Sequence, residues 1–396
     1  MSTSQRRNRR PTVRPLTAIL SVLGAIAMVA AVVVGLNLRN HRDGASVQTA
    51  ESPAETTPAA EAPAPANCSL SLRDKLAQLL MVGVKDAADA RAVVADHKVG
   101  GIFIGSWTDL GMLGDPLREI EAVAVDTEAK IPLAVSVDEE GGRVSRLKKV
   151  IGEQLAPREL VAAGKTPEQV EELAEQRAKE MVKLGITIDF APLLDVTSGD
   201  PDGAIGDRSF SGDPAVVTKY AGAYARGLKK GGLTAVFKHF PGHGHASGDS
   251  HTGGVSTPPL AQLENNDLLP YKDLIPQRLA EVMVGHMVVP GLTDGKQASL
   301  SGPAYAKLRE MGFTDVAFTD DLSSMKAITD IYPVPGAVLL SLQAGADIAL
   351  WVTTDEVPAV LDRLEKAVAD NELPMERVNE ALGRVLKMKG APPLGC

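Results

Sequence analysis

From residue 78 onward the chain repeats one pattern eight times: a short, continuous, β-branched-rich apolar run, then a stretch with helical spacing. The runs are Gln78–Val84, Gly100–Gly105, Pro132–Asp138, Ile186–Val196, Thr234–Phe240, Glu281–Val289, Val316–Asp321 and Asp347–Val352. A run that is apolar at every position reads as a strand buried on both faces, as in a parallel sheet covered by helices. This feature limits the chain to a small set of layered α/β architectures.

The intervening segments carry helix signals. Asp115-Pro116, Thr166-Pro167 and Asp213-Pro214 each place a capping side chain before a proline suited to the first helical position. Val170, Leu173, Ala174, Ala178, Met181 and Val182 then mark one helical face, closed by Gly185. Val217, Tyr220, Ala221, Tyr224 and Leu228 do the same before Gly231. Eight strands with helices between them predict a single-domain (β/α)8 barrel of TIM type over residues 68–396; a doubly wound open sheet is the alternative. Both bind ligands at the C-terminal ends of the strands.

The first 67 residues read differently. Residues 1–15 hold Arg6, Arg7, Arg9, Arg10 and Arg14, and Leu16 to Leu38 carries no formal charge. A helix of that length crosses a bilayer core, and the arginines preceding it put residues 1–15 in the cytoplasm. A transmembrane anchor at 16–38 is therefore expected, with a cleaved signal sequence as the rival. Residues 39–67, rich in Pro, Ala and Glu, are expected to be a disordered linker. Together these features place the catalytic domain outside the cell membrane on a single-pass anchor, or, if the signal is cleaved, as a secreted protein. The two cysteines, Cys68 and Cys396, flank the barrel segment. A disulfide between them is chemically allowed outside the cytoplasm, and two free thiols are equally compatible. With a net charge of −9 and no basic stripe beyond the first few residues, nothing points to a nucleic-acid binder. A monomer is expected.

Charged groups gather where the apolar runs end. "DEEGGRVSR" (Asp138–Arg146) follows the third, "GDRSF" with Asp207 and Arg208 follows the fourth, and Lys238-His239 closes the fifth. His286 lies in the sixth, and Asp320-Asp321 ends the seventh. Core packing does not require titratable groups on one rim, so the rim is the predicted site. Four of the seven histidines fall in "KHFPGHGHASGDSH", Lys238–His251. His243 and His245 with Asp249 and His251 would suit a metal, but no second cluster supplies the remaining ligands. The catalytic reading needs less: Asp249 and His251 are close enough to pair, a carboxylate on one ring nitrogen fixes the tautomer, and such an imidazole serves as a general acid/base on a glycine-rich loop. Either Asp320 or Asp321 would be its carboxylate partner, since the two point to opposite faces of a strand. Arg146, Arg208 and Lys238 would hold substrate oxygens.

"KHFPGHG" followed by "DSH", with "DEEGGRVSR" upstream, "IGDRSF" between them and "FTDDLSSMKAI" downstream, resembles glycoside hydrolase family 3. More narrowly it resembles the NagZ-type N-acetyl-β-glucosaminidases of peptidoglycan turnover, over about residues 68–389. The resemblance implies a (β/α)8 barrel, retaining chemistry, and no metal or other cofactor. It implies Asp320 as nucleophile and His251 with Asp249 as acid/base. It also implies that Asp138, Arg146, Arg208, Lys238 and His239 bind the terminal N-acetylglucosamine of muropeptides or wall glycan fragments. The competing expectations are an inactive sugar-binding wall protein, a β-glucosidase of the same family and an N-acetylglucosaminide phosphorylase. The last is considered because a neutral histidine would not repel a phosphate acceptor.

Overall fold

The structure, a computed structural model, describes residues 70–125 and 130–393. Its centre is an eight-stranded parallel sheet: β1 (Leu80–Gly83), β2 (Gly101–Ile104), β3 (Ala134–Val137), β6 (Ile188–Asp189), β7 (Thr234–Phe240), β8 (Ala280–Val284), β9 (Ala317–Thr319) and β10 (Ala349–Trp351). A small antiparallel hairpin, β4 (Glu139–Gly141) and β5 (Val144–Ser145), follows β3. Consecutive strands of the large sheet are neighbours, and the last pairs with the first in the register Leu80↔Ala349, Met81↔Leu350, Val82↔Trp351. The remaining seam is joined by a parallel bridge between Phe318 and Ile348, where the Thr319 N–H donates to the Ile348 carbonyl at 3.0 Å. These contacts close the sheet into a barrel and exclude the open alternative.

Side chains from non-adjacent strands fill the interior. Phe103 on β2, Phe190 just past β6 and Phe318 on β9 meet through their rings, with centroids 5.9 and 5.5 Å apart. Each buried phenylalanine contributes about 1.5–3 kcal/mol relative to exposure. One layer nearer the N-terminal ends, Met81 crosses toward Ser136, and a Cβ at Gly101 would stand 2.6 Å from the Met81 methyl. A side chain at that position would have to push the flexible Met81 methyl aside.

The helices form the outer ring. Thr166 and Gln169 form a reciprocal capping box at the start of the helix Pro167–Lys183. Asp213 Oδ1 accepts from the Ala215 N–H at 2.9 Å to cap Pro214–Lys230. These two helices approach so closely that a Cβ at Gly227 would lie 2.2 Å from the Glu171 carbonyl oxygen. Asp115 is itself the first residue of its helix, Asp115–Val125, rather than the residue before it.

Three expectations need correction. The fourth run forms a regular strand only at Ile188–Asp189; beyond it Pro192 has no N–H to give to a ladder, and pairing with β7 resumes as a single bridge between Leu193 and Lys238. The sixth leaves the sheet after Val284, where the Gly285 N–H donates back to the Phe240 carbonyl. The expected fold also set a transmembrane helix and tether before the barrel. Among the described residues no helix is long and apolar enough to cross a membrane. The longest have 17 residues and carry charged faces, short of the roughly 20 apolar residues a span needs. Residues 1–15, 16–38 and 39–67, Cys68 and Cys396 lie outside the described residues. The fold is thus an eight-stranded, mostly parallel α/β barrel, and the expected membrane helix has no counterpart among the described residues.

Candidate active site

Strand alternation sorts the three acids after β3. Glu139 turns under the sheet, where its carboxylate is 2.7 Å from Arg177 Nη2 and accepts from Ser145 Oγ at 2.6 Å and from the Leu147 N–H at 2.8 Å. Asp138 and Glu140 turn the other way, toward the mouth, and both lie 2.6 Å from Lys238 Nζ. Arg208 grips Glu140 with two parallel bonds, 2.7 Å from Nε and 2.8 Å from Nη2. The result is a buried chain of alternating charge: Asp138, Lys238, Glu140, Arg208. Burial lifts the Glu140 carboxyl, but Arg208 and Lys238 outweigh it and hold the group far below its ordinary value. Burial pulls Lys238 down, and Asp138 and Glu140 more than reverse that, so the ammonium stays charged.

The end of β7 supplies Lys238 and His239, joined by a cis peptide bond. His239 Nδ1 is 2.7 Å from Asp195 Oδ2. The fully buried Asp195 also accepts from the His243 N–H at 2.6 Å. Burial raises Asp195, yet His239 leads the groups that bring it below the ordinary range.

The two aspartates after β9 differ in surroundings. Asp321 accepts from the Ser323 N–H at 2.8 Å, from the Ser324 N–H at 3.1 Å and from both hydroxyls, so it caps the following turn. Burial leaves its carboxyl raised. Asp320 faces the mouth, accepting on Oδ1 from the Asp321 N–H at 2.9 Å, with Oδ2 4.0 Å from His239 Nε2. Burial lifts Asp320, but His239, His286, that N–H and Lys238 together keep it below its usual value and ionised. His286 is a positioning group beneath: its Nδ1 meets Ser299 Oγ at 2.7 Å and its Nε2 meets the Asp321 carbonyl at 2.8 Å. Burial lowers its basicity.

Above this floor lies the glycine-rich loop. His251 Nδ1 is 2.7 Å from Asp249 Oδ1, and the His251 side chain is 58% exposed. Asp249 is lifted by partial burial and lowered further by the His251 N–H and ring, with a net lowering. Asp138, Arg208, Lys238, His239, Asp249, His251 and Asp320 line one cavity of about 70 Å³.

Of the expected site residues, Arg146 is the one that lies elsewhere, in an adjoining groove. His243 and His245, weighed as metal ligands, take separate partners: His243 packs edge to face on His239 at 6.0 Å, and His245 Nδ1 lies 3.0 Å from Asp267. Sequence reasoning missed Glu140 and Asp195. The i, i+2 spacing of Asp138 and Glu140 at a strand end was an available signal for the first. Asp195 had none beyond its place at the end of an apolar run.

A barrel with an ionised aspartate, an imidazole–carboxylate pair and a network of charged hydrogen-bonding groups in one mouth is built for glycosyl transfer to water, and residues 71–388 match the glycosyl hydrolase family 3 N terminal domain. The chain belongs to glycoside hydrolase family 3 and is a glycosidase. It is 53% identical over 388 residues to "Beta-hexosaminidase LpqI" of Mycobacterium tuberculosis, covering 94% of this chain and 98% of that protein. Among solved structures, a family 3 glycosyl hydrolase of Mycobacterium smegmatis superposes with a TM-score of 0.79 at 59% identity, covering 83% of this chain and 99% of the other. A family 3 β-N-acetylglucosaminidase of Paenibacillus sp. superposes with a TM-score of 0.77 at 32% identity, covering 81% of this chain and 62% of the other.

Proposed function

We propose that this glycosidase is a retaining, exo-acting β-N-acetylglucosaminidase that releases terminal N-acetylglucosamine from peptidoglycan fragments. The observation that carries the reading is that Asp320 and the His251–Asp249 pair face one small cavity. The hexosaminidase names of the relatives support the sugar, and the sequence resemblance supports the glycan.

In the first step Asp320 attacks C1 of the bound sugar while His251 Nε2 gives its proton to the leaving oxygen. The bond to Asp249 holds the ring and stabilises the imidazolium before transfer. In the second step neutral His251 takes a proton from water, and the water displaces Asp320 from C1, with net retention. The charged floor binds the sugar. Asp138 accepts from a hydroxyl, Lys238 donates to one, and Arg208 keeps Glu140 neutralised so that Lys238 is not drawn away. His239, held by Asp195, offers Nε2 to the substrate beside Asp320. A cavity of about 70 Å³ is too small to hold a hexosamine as it stands, so binding a terminal sugar requires the glycine-rich loop carrying His251 to open and then close over it.

The test is digestion of defined muropeptides with anomers read by NMR, beside parallel aryl glucoside and N-acetylglucosaminide assays. β-N-acetylglucosamine as first product is expected. Release of the α-anomer, or preference for glucoside, would remove the assignment.

A further inference from the structure

In the proposed mechanism His251 must stand over Asp320, yet the two belong to separate pieces of chain. Asp320 follows β9, and His251 rides the glycine-rich loop after β7. The turn that follows Asp320 joins them. Ser250, between the two members of the acid/base pair, is buried, and its carbonyl accepts from the Ala327 N–H at 3.1 Å. Among the described residues this is the one backbone hydrogen bond that ties Asp249, Ser250 or His251 to anything outside their loop. The Ser250 hydroxyl also meets Met325 Sδ at 3.5 Å, and Met325 lines the catalytic cavity with Asp320. The stretch Asp320–Ala327 therefore carries the nucleophile at one end and grips the loop at the other.

That stretch is itself clasped at two points by one short segment. Ser299 holds His286, and His286 meets the Asp321 carbonyl. Two residues before Ser299, Gln297 Nε2 donates to the Ala327 carbonyl at 2.7 Å. The short helix Lys326–Thr329 leaves this carbonyl without a main-chain donor among the described residues, and Gln297 supplies one. The backbone of Gln297 belongs to the base of the loop. Gln297 bridges Val288, Val288 bridges Ser256, and Ser256 bridges Ser247. The Ser247 N–H donates to the Ser256 carbonyl at 2.8 Å, and the Val288 N–H to the Val255 carbonyl at 2.8 Å. Gln297 thus supports the loop twice, at its base by main chain and at its tip by way of Ala327. The side chain is only 7% exposed, where an apolar residue of equal length would pack without a polar group to satisfy. The bond to Ala327 is what its amide is for.

We infer that Gln297 is a positioning residue for the acid/base loop: by fixing Ala327 it sets where Ser250, and with it His251, stands above Asp320. This rests on the proposed role of His251 and adds the residue that places it. When the loop opens to admit a sugar, the Ser250–Ala327 bond breaks, and Ala327 stays on Gln297 as the point to which the loop returns.

The experiment uses the full chain and compares kcat/KM on two aryl N-acetyl-β-glucosaminides. Phenolate needs a proton to leave, and 2,4-dinitrophenolate does not. Gln297→Met keeps the length and loses the donor, Gln297→Leu is the second variant, and His251→Ala is the reference. Both Gln297 variants are expected to lose about tenfold on the phenyl substrate and less than about twofold on the dinitrophenyl one, as a displaced proton donor would. Hydrogen exchange over residues 246–256 should quicken about tenfold in both. An unchanged phenyl rate, equal losses on the two substrates, or loop exchange as slow as in the unaltered protein overturns the inference. Equal losses in His251→Ala would instead sink the acid role of His251, while loop exchange still decides whether Gln297 holds the loop.

Discussion

Asp195 holds His239 by its Nδ1 at 2.7 Å, and this fixes the opposite ring nitrogen 4.0 Å from the Asp320 carboxylate. One buried acid, remote from any reacting atom, thereby sets the position of a group beside the reaction centre. Asp195→Asn should lower kcat about 10- to 100-fold, the usual effect of losing an outer carboxylate on a functional histidine. Asp195→Ala strands the His239 and His243 donors in the interior and should cost about 3 kcal/mol in urea unfolding. Unchanged kcat in the asparagine variant would show that His239 is held by packing alone.

The two neighbouring aspartates should fail in different ways. Asp320→Asn is expected to reduce turnover about 10³-fold or more with little change in stability. Asp321→Ala removes a cap on two N–H groups and two hydroxyls, and should cost about 1–2 kcal/mol of stability. Activity assays alongside thermal melts distinguish the cases, and a swap of the two phenotypes would reassign the nucleophile.

His251 is exposed, and among the described residues its ring hydrogen-bonds only to Asp249 of the same loop, so His251→Ala should fold normally. Loss of a general acid should lower kcat about 10²- to 10⁴-fold on a poor leaving group. The loss in the first step should shrink sharply with 2,4-dinitrophenolate, which departs without a proton. Equal losses on both substrates would take the acid role away from His251.

Glu281, at the opposite end of the barrel from the active site, gives a pH prediction. Burial, with Asp315 and Asp347 nearby, pushes its carboxyl up to about 8 from an ordinary 4.5. The folded chain thus holds a proton there that the unfolded chain has released. Its contribution is complete below about pH 4.5 and is lost as pH rises toward 8. Glu281→Gln, which can still accept from the Val316 N–H, should flatten that decline. Urea midpoints at pH 5 and 8 check this; an equal decline in both proteins would refute it.

What the sequence disclosed follows from the range of each interaction. The eight strand positions were visible because double-sided burial is written locally, residue by residue. The Asp249–His251 contact was visible because the partners are two residues apart. Glu140–Arg208 and Asp195–His239 were not, since barrel closure brings together segments that carry no mark of each other. The choice between Asp320 and Asp321 needed the Ser323–Ser324 turn, and the position of Arg146 needed the hairpin β4–β5. The expected membrane helix came from an apolar run outside the described residues, and no described helix takes that role.

The pairing of Leu80–Gly83 with Ala349–Trp351 has a consequence for biosynthesis. On the ribosome, the barrel's first strand keeps one bare edge until Ala349–Trp351 has been translated. A message truncated anywhere before the codon for Ala349 would therefore yield a gaping, adhesive product rather than a smaller working enzyme, and nascent chains would depend on chaperones until that last barrel strand arrives.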